Sequence, residues 1–128
     1  MFAFVPKYKK LREVLMDQKL ASLGDSFVNL VYSLALSRRG GEPIGAKVDS
    51  RVLSEALKKA GLRKLLPSRT DRHTQADAAE ALIVYAWMQN VVTMEEGVNT
   101  LEQHEDPVEG FCDLLLTVTK RLDLLNIG

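Results

Sequence analysis

Three carboxylate residues lie within the two most apolar stretches of this chain. Asp25 belongs to the stretch 23–26, and Asp77 and Glu80 belong to the stretch 76–83. Burying an unpaired carboxylate costs free energy, so acids beside a helical core usually form pairs or bind a cation. If the two stretches pack together as helices, the three acids predict a site for a hard divalent cation, which prefers oxygen ligands.

Each acid also has a simpler interpretation, which the sequence leaves open. Asp77 and Glu80 are three residues apart and therefore share one helix face, but Thr74 and Asp77 also have the spacing of a capping box. Asp25 directly follows Gly24 and fits the first turn of a helix, where the helix dipole favours an acid. Glu80 fits a capping role less well, because apolar residues surround it on both sides.

The spacing of apolar residues predicts an all-α fold with about six or seven helices. The expected helices span 8–16, 20–38, 48–60, 74–89, 94–102 and 106–125, with one further turn at 62–66. The helix at 20–38 is apolar around most of its circumference, so we expect it at the centre of the fold. No alternation of apolar and polar residues is long enough to indicate a β-strand.

Composition predicts one soluble globular domain. The chain has 128 residues, of which 46% are apolar and 27% are charged, the profile of an ordinary domain with its own core. The single cysteine, Cys112, excludes an internal disulfide and fits a reducing compartment. Too few residues precede Pro6 for a signal peptide, and the apolar run 81–88 is too short to cross a bilayer. We therefore expect a cytoplasmic protein that does not bind a membrane.

The charges balance overall but are unevenly distributed along the chain. Residues 1–72 contain 15 Lys/Arg and 7 Asp/Glu, whereas residues 73–128 contain 2 and 10. One interpretation is that the two halves neutralise each other across the fold. The other is a basic face that attracts a polyanion, since clustered Lys and Arg gain affinity by releasing counterions from phosphates.

Two motifs in this order resemble the ribonuclease III catalytic-domain family. Residues 17–26 (DQKLASLGDS) are similar to the family signature, which typically reads NERLEFLGDS or ends in A. Residues 76–83 (ADAAEALI) resemble the second motif, ADxxEALIGA, and residues 52–62 resemble the stretch before it. The order, spacing and expected helices agree over roughly residues 8–90. The two motifs together are fairly specific, although either one alone would not be.

This resemblance implies an all-helical endonuclease domain that forms a homodimer and holds double-stranded RNA in a valley across the dimer. It implies that Asp25, Asp77 and Glu80 bind Mg²⁺, with Mn²⁺ as a possible substitute. Metal-bound water would then cleave a phosphodiester and leave a 3′-hydroxyl and a 5′-phosphate. Residues 1–128 would form a single free-standing domain without a double-stranded RNA-binding domain, similar to Mini-ribonuclease III or an archaeal ribonuclease III-like protein.

The first motif departs from the family pattern at two positions. Ala21 stands where the family usually has a glutamate, four residues before the aspartate, and Gln18 stands where another acid is expected. A small residue at the Ala21 position also occurs in the Mini-ribonuclease III branch. Three acids instead of four predict weaker metal binding. An alternative function follows, in which a catalytically impaired relative keeps the fold and binds RNA or a protein.

Auxiliary roles can be assigned to several further residues. Asn29, one turn after Asp25, either orients a ligand or water as an outer partner or is a hydrogen-bonded core amide. Gln18 and Asp71 are auxiliary candidates, and Asp71 is a candidate for the missing carboxylate. The densest basic stretch forms either a solvated face or an RNA-binding surface, and it comprises Lys58, Lys59, Arg63, Lys64, Arg69 and Arg72. A third interpretation of the chain, an unrelated helical interaction module, requires that the three acids do not converge.

Overall fold

The computed structural model describes residues 2–125, apart from the side chain of residue 124. Within that range the chain contains six α-helices, one short 3₁₀ turn and no strand, which confirms the all-α class. The helices are α1 (Leu11–Leu15), α2 (Gln18–Gly40), α3 (Ser50–Lys59), α4 (Arg72–Met88), α5 (Met94–Glu102) and α6 (Pro107–Leu124), with the 3₁₀ turn at Arg63–Leu65.

Helix α4 is the centre of the fold. Twelve of its 17 residues are buried, because it is apolar around most of its circumference and packs against α1, α2, α3 and α6. Helix α2 packs against α4 and α5, but only seven of its 23 residues are buried. The expectation that α2 is central therefore holds for one side of the helix only.

Helix α2 is also the one helix within residues 2–125 whose length and hydropathy would allow it to cross a bilayer. This is a weak indication, because the core helix of a folded domain passes the same test. The contact of α2 with α4 and α5 accounts for its apolar composition on the buried side.

Helix α2 begins earlier than its apolar pattern indicates, because Asp17 caps it. The Asp17 side chain accepts hydrogen bonds from the backbone amides of Lys19 and Leu20, each at 3.0 Å, and the Tyr8 hydroxyl donates to it at 2.6 Å. Helix α1 begins at Leu11, so Tyr8 precedes it instead of starting it. Asp25 is the eighth residue of α2, so its interpretation as a first-turn residue is wrong.

Helix α4 also begins at an aspartate cap. Asp71 accepts a hydrogen bond from the Thr74 amide at 2.8 Å, and the helix starts at Arg72. The capping box expected between Thr74 and Asp77 is therefore wrong. Asp77 lies in the second turn of α4 and has no capping role.

Ion pairs join the basic first half of the chain to the acidic second half. Arg38 contacts Glu95 and Glu102, each at 3.2 Å, and Lys59 pairs with Glu109. Part of the charge asymmetry is therefore neutralised across the fold.

Candidate functional site

Helix α2 lies very close to the backbone of α4 at Gly24. A Cβ atom on Gly24 would lie 2.3 Å from the carbonyl oxygen of Glu80 and 2.6 Å from its carbonyl carbon. Only glycine fits there, because the obstacle is the backbone of another helix and cannot swing aside. The next residue, Asp25, is thereby brought beside the Glu80 side chain.

The three acids predicted from the sequence line one open cavity of about 220 Å³ between α2 and α4. Four lining residues come from one face of α2, at the helical spacings of three, four and seven residues, and two come from α4. None of them is Lys or Arg, so the lining supplies no cation to balance the acids. The lining residues are Gln18, Ala21, Ser22, Asp25, Asp77 and Glu80.

Glu80 is the most perturbed acid of this cavity. Its side chain is 6% exposed, and burial is the main reason why its pKa is raised to about 8. A hydrogen bond with Asp25 and the negative charges of Asp25 and Asp77 raise that pKa further. At neutral pH the metal-free protein therefore keeps a proton on Glu80.

Burial also raises the pKa of Asp77, and the charges of Asp25 and Asp71 add to the effect, whereas His73 opposes it. Both acids of α4 thus favour a positive charge in the cavity, either a proton or a cation. A pair of carboxylates with raised pKa values in a cleft is a common feature of functional sites.

The donor set fits a hard cation, although the acids do not surround a single point. Within residues 2–125 no group of three or more His, Cys, Asp or Glu side chains is arranged so that it could hold one metal ion. The cavity nevertheless offers carboxylate oxygens, the Gln18 amide and the Ser22 hydroxyl, with room for water. Mg²⁺ usually keeps several waters and takes only one or two carboxylates directly, so a compact cage is not required.

The position of the missing family glutamate faces the same cavity. Ala21 is 4% exposed and lies one turn before Asp25, so only a methyl group stands where a carboxylate could reach the acids. Asp71 does not line the cavity. Its side chain caps α4, and the hydrogen bond from the Thr74 amide is the main reason why its pKa is lowered.

Asn29 makes contacts on both sides of its amide. Its Nδ2 donates to Asp25 Oδ1 at 3.3 Å, and its Oδ1 accepts from the Val48 amide at 2.8 Å. Asn29 is therefore a hydrogen-bonded amide, but it is only half-buried and does not belong to the core. Its role in orienting a ligand or water stays a prediction.

The basic residues of the predicted RNA-binding surface have different surroundings. Lys58 lies 3.6 Å from Glu55, and Arg63 donates hydrogen bonds to the carbonyls of Pro67 and Ser68 at 3.0 and 2.8 Å. Arg63 thus holds the loop before α4. The sequence did not indicate this role, because Arg63 belongs to a run of basic residues that could all contact RNA. Lys64, Arg69 and Arg72 are exposed, and RNA binding by the whole set stays a prediction.

Comparison with protein families identifies the class to which this fold and site belong. The family model described as Ribonuclease III matches residues 18–126, which is most of the chain. The chain therefore belongs to the ribonuclease III family, whose members act on double-stranded RNA and generally use a divalent metal. A comparison with curated protein sequences finds no match.

The match begins at the first residue of α2 and extends past the two motifs into α5 and α6. It includes all three acids of the cavity. The interpretation of this chain as an unrelated helical interaction module is therefore wrong.

Proposed function

We propose that this protein is a Mg²⁺-dependent endoribonuclease that cleaves phosphodiesters in double-stranded or structured RNA. The observation that carries the proposal is the cavity that Asp25, Asp77 and Glu80 line together, with no Lys or Arg among its lining residues. A bound divalent cation would activate water and neutralise charge that develops on the phosphate. Membership of the ribonuclease III family supports RNA as the substrate.

In this proposal each acid has a defined task. Asp25 and Asp77 supply carboxylate oxygens from opposite helices. Glu80 releases its proton when a cation binds, because a ligand carboxylate must be ionised. The raised pKa of Glu80, about 8, therefore makes cation binding stronger as the pH rises towards that value. Gln18 and Ser22, at the same cavity, hold water or a phosphate oxygen.

RNA would approach over exposed cations near the start of α4. Lys64, Arg69 and Arg72 are exposed there, and Lys58 and Lys59 lie at the end of α3. Phosphate contacts of this type give affinity without base specificity and weaken as salt rises. A cytoplasmic location, expected from the sequence, is part of the proposal.

A homodimer is part of the proposal, and an exposed stripe on α2 supports it. Leu23, Leu30 and Leu34 are 40%, 48% and 36% exposed, and their spacing of seven and four residues puts them on one helix face. Exposed apolar stripes of this kind are typical of interaction surfaces. We expect sedimentation to detect a dimer, and Leu30→Glu to produce a monomer.

Cleavage of long double-stranded RNA with Mg²⁺ or Mn²⁺ tests the proposed activity. We expect the wild-type protein to release short duplexes with 5′-phosphates and 3′-hydroxyls, and Glu80→Gln to release none. Glu105→Gln, which changes an exposed acid outside the cavity, is the matched control and should cleave like the wild type. Equal cleavage by Glu80→Gln would contradict the assignment of the site.

The presence of Ala21 favours one other function, an RNA-binding relative with impaired catalysis. In that case the wild type and Glu80→Gln would bind double-stranded RNA equally and neither would cleave it. A gel-shift measurement beside the cleavage assay distinguishes the two functions.

A further inference from the structure

The segment 44–48 lies along α2 and is held by hydroxyl side chains one helical turn apart. Ser37 Oγ accepts a hydrogen bond from the Ile44 amide at 2.8 Å. Ser33 Oγ accepts one from the Ala46 amide at 2.9 Å and donates to the Ala46 carbonyl at 3.0 Å. The segment runs antiparallel to α2. Four helical residues rise about 6 Å and two extended residues about 6.6 Å, so every second residue of the segment lies beside every fourth residue of the helix.

Asn29 is the next member of this series, four residues before Ser33. Its Oδ1 accepts from the Val48 amide at 2.8 Å, and its Nδ2 donates to Asp25 Oδ1 at 3.3 Å. A backbone amide can only donate, so the Val48 amide fixes which way the Asn29 amide is turned and leaves the Asn29 Nδ2 to donate to Asp25. The series 37, 33, 29 and 25 therefore ends on an acid of the cavity.

We propose that Asn29 is a positioning residue that joins the 44–48 segment to Asp25 and holds the Asp25 carboxylate in the orientation that cation binding requires. This inference rests on the proposed function and adds to it a residue that acts through Asp25. The hydrogen bond restrains one of the two carboxylate oxygens of Asp25, Oδ1. Outer partners of metal ligands typically change metal affinity about 10- to 100-fold when they are removed.

Two alanine variants separate positioning of Asp25 from fastening of the segment. Asn29→Ala removes the contacts with Val48 and with Asp25, whereas Ser33→Ala removes only the contacts with Ala46. We expect Asn29→Ala to weaken Mn²⁺ binding, measured by calorimetry, about tenfold or more, and Ser33→Ala to change it less than about twofold. Thermal unfolding of both metal-free variants checks that they are folded. Equal Mn²⁺ affinities of the two variants would overturn the inference.

Hydrogen exchange in the wild-type protein gives a second test that needs no variant. Coupling between two sites is reciprocal, so Mg²⁺ bound at Asp25 should slow exchange of the Val48 amide severalfold. The Ile44 amide, two steps further along the series, is the internal control and should change less. If Mg²⁺ shifts the NMR signals of Asp25 and Glu80, and so binds, but the exchange rate of the Val48 amide does not change, the inference is overturned.

The same spectra distinguish this failure from a failure of the proposed function. If Mg²⁺ shifts none of the signals of Asp25, Asp77 and Glu80, then the cavity does not bind the cation. That outcome would overturn the proposed function, and the positioning role of Asn29 with it.

Discussion

The Glu80→Gln variant should be more stable than the wild type when no metal is present. The pKa of Glu80 is raised from 4.5 to about 8, mainly by burial, so the unfolded chain loses the Glu80 proton at a lower pH than the folded protein. The free energy of unfolding of the wild type therefore falls as the pH rises from about 4.5 to about 8, and stays level above that. Because glutamine cannot ionise, the variant does not lose this part of its free energy of unfolding as the pH rises.

The size of the effect follows from the same shift. One pKa unit corresponds to about 1.4 kcal/mol, so about 2.5 units between pH 4.5 and pH 7 amount to about 3 kcal/mol. The Glu80 side chain is 6% exposed, so little of this is lost to solvent screening. In the variant, the glutamine NH₂ group also supplies a donor for Asp25.

Urea unfolding in the presence of EDTA at pH 5, 7 and 8.5 measures the difference. We expect the advantage of Glu80→Gln to grow by about 2.5 kcal/mol between pH 5 and pH 7 and to level off above pH 8. Glu105→Gln, at an exposed acid, should follow the wild type. A Glu80→Gln variant that is less stable than the wild type at pH 7, or equally sensitive to pH, would refute the reasoning.

Three further predictions concern other parts of the fold. In Gly24→Ala, the contact between the new Cβ and the Glu80 carbonyl oxygen must widen from 2.3 Å to at least 3.4 Å, and the overpacking of about 1–3 kcal/mol should lower the urea midpoint of unfolding. Gly97→Ala is the control, because its Cβ would meet only a side-chain atom at 3.3 Å. This variant should unfold like the wild type. Ala21→Glu should tighten Mn²⁺ binding in calorimetry, and an unchanged affinity would contradict a vacant ligand position at the cavity. Arg121 lowers the pKa of Glu96 to about 2, so their pair stabilises above about pH 4.5 and is lost towards pH 2. Both side chains are about 40% exposed, so the pair contributes little. Between pH 4.5 and pH 2, Glu96→Gln should therefore lose less free energy of unfolding than the wild type, by under about 1 kcal/mol. A larger difference between the two proteins would contradict this.

The helices and the order of the acids could be predicted because both depend on local patterns. Apolar residues at helical spacing are visible in the letters of the sequence, and so are Asp25, Asp77 and Glu80 within them. The starts of α2 and α4 were predicted less well. Asp71 and Thr74 are both good N-caps, and only the packed structure decides that Asp71 fills this role.

The contacts that position the site were beyond sequence reasoning for a different reason. Ser33 and Ser37 look like ordinary polar residues of a helix, and their partners are backbone groups, which carry no sequence signal. A weak signal was present, since small polar residues recur every four positions from Asp25 on an otherwise apolar helix. The role of Gly24 likewise depends on what another helix places opposite it.

The contact at Gly24 has a consequence for engineering. It joins α2 to the backbone of Glu80 itself, so the spacing of the acids is set by helix packing and not by a loop that could adjust. A designer who moves the three acids onto another pair of helices would have to move the glycine as well, together with the interaxial distance that it permits. Copying the carboxylates alone would reproduce the composition of the cavity but not its dimensions.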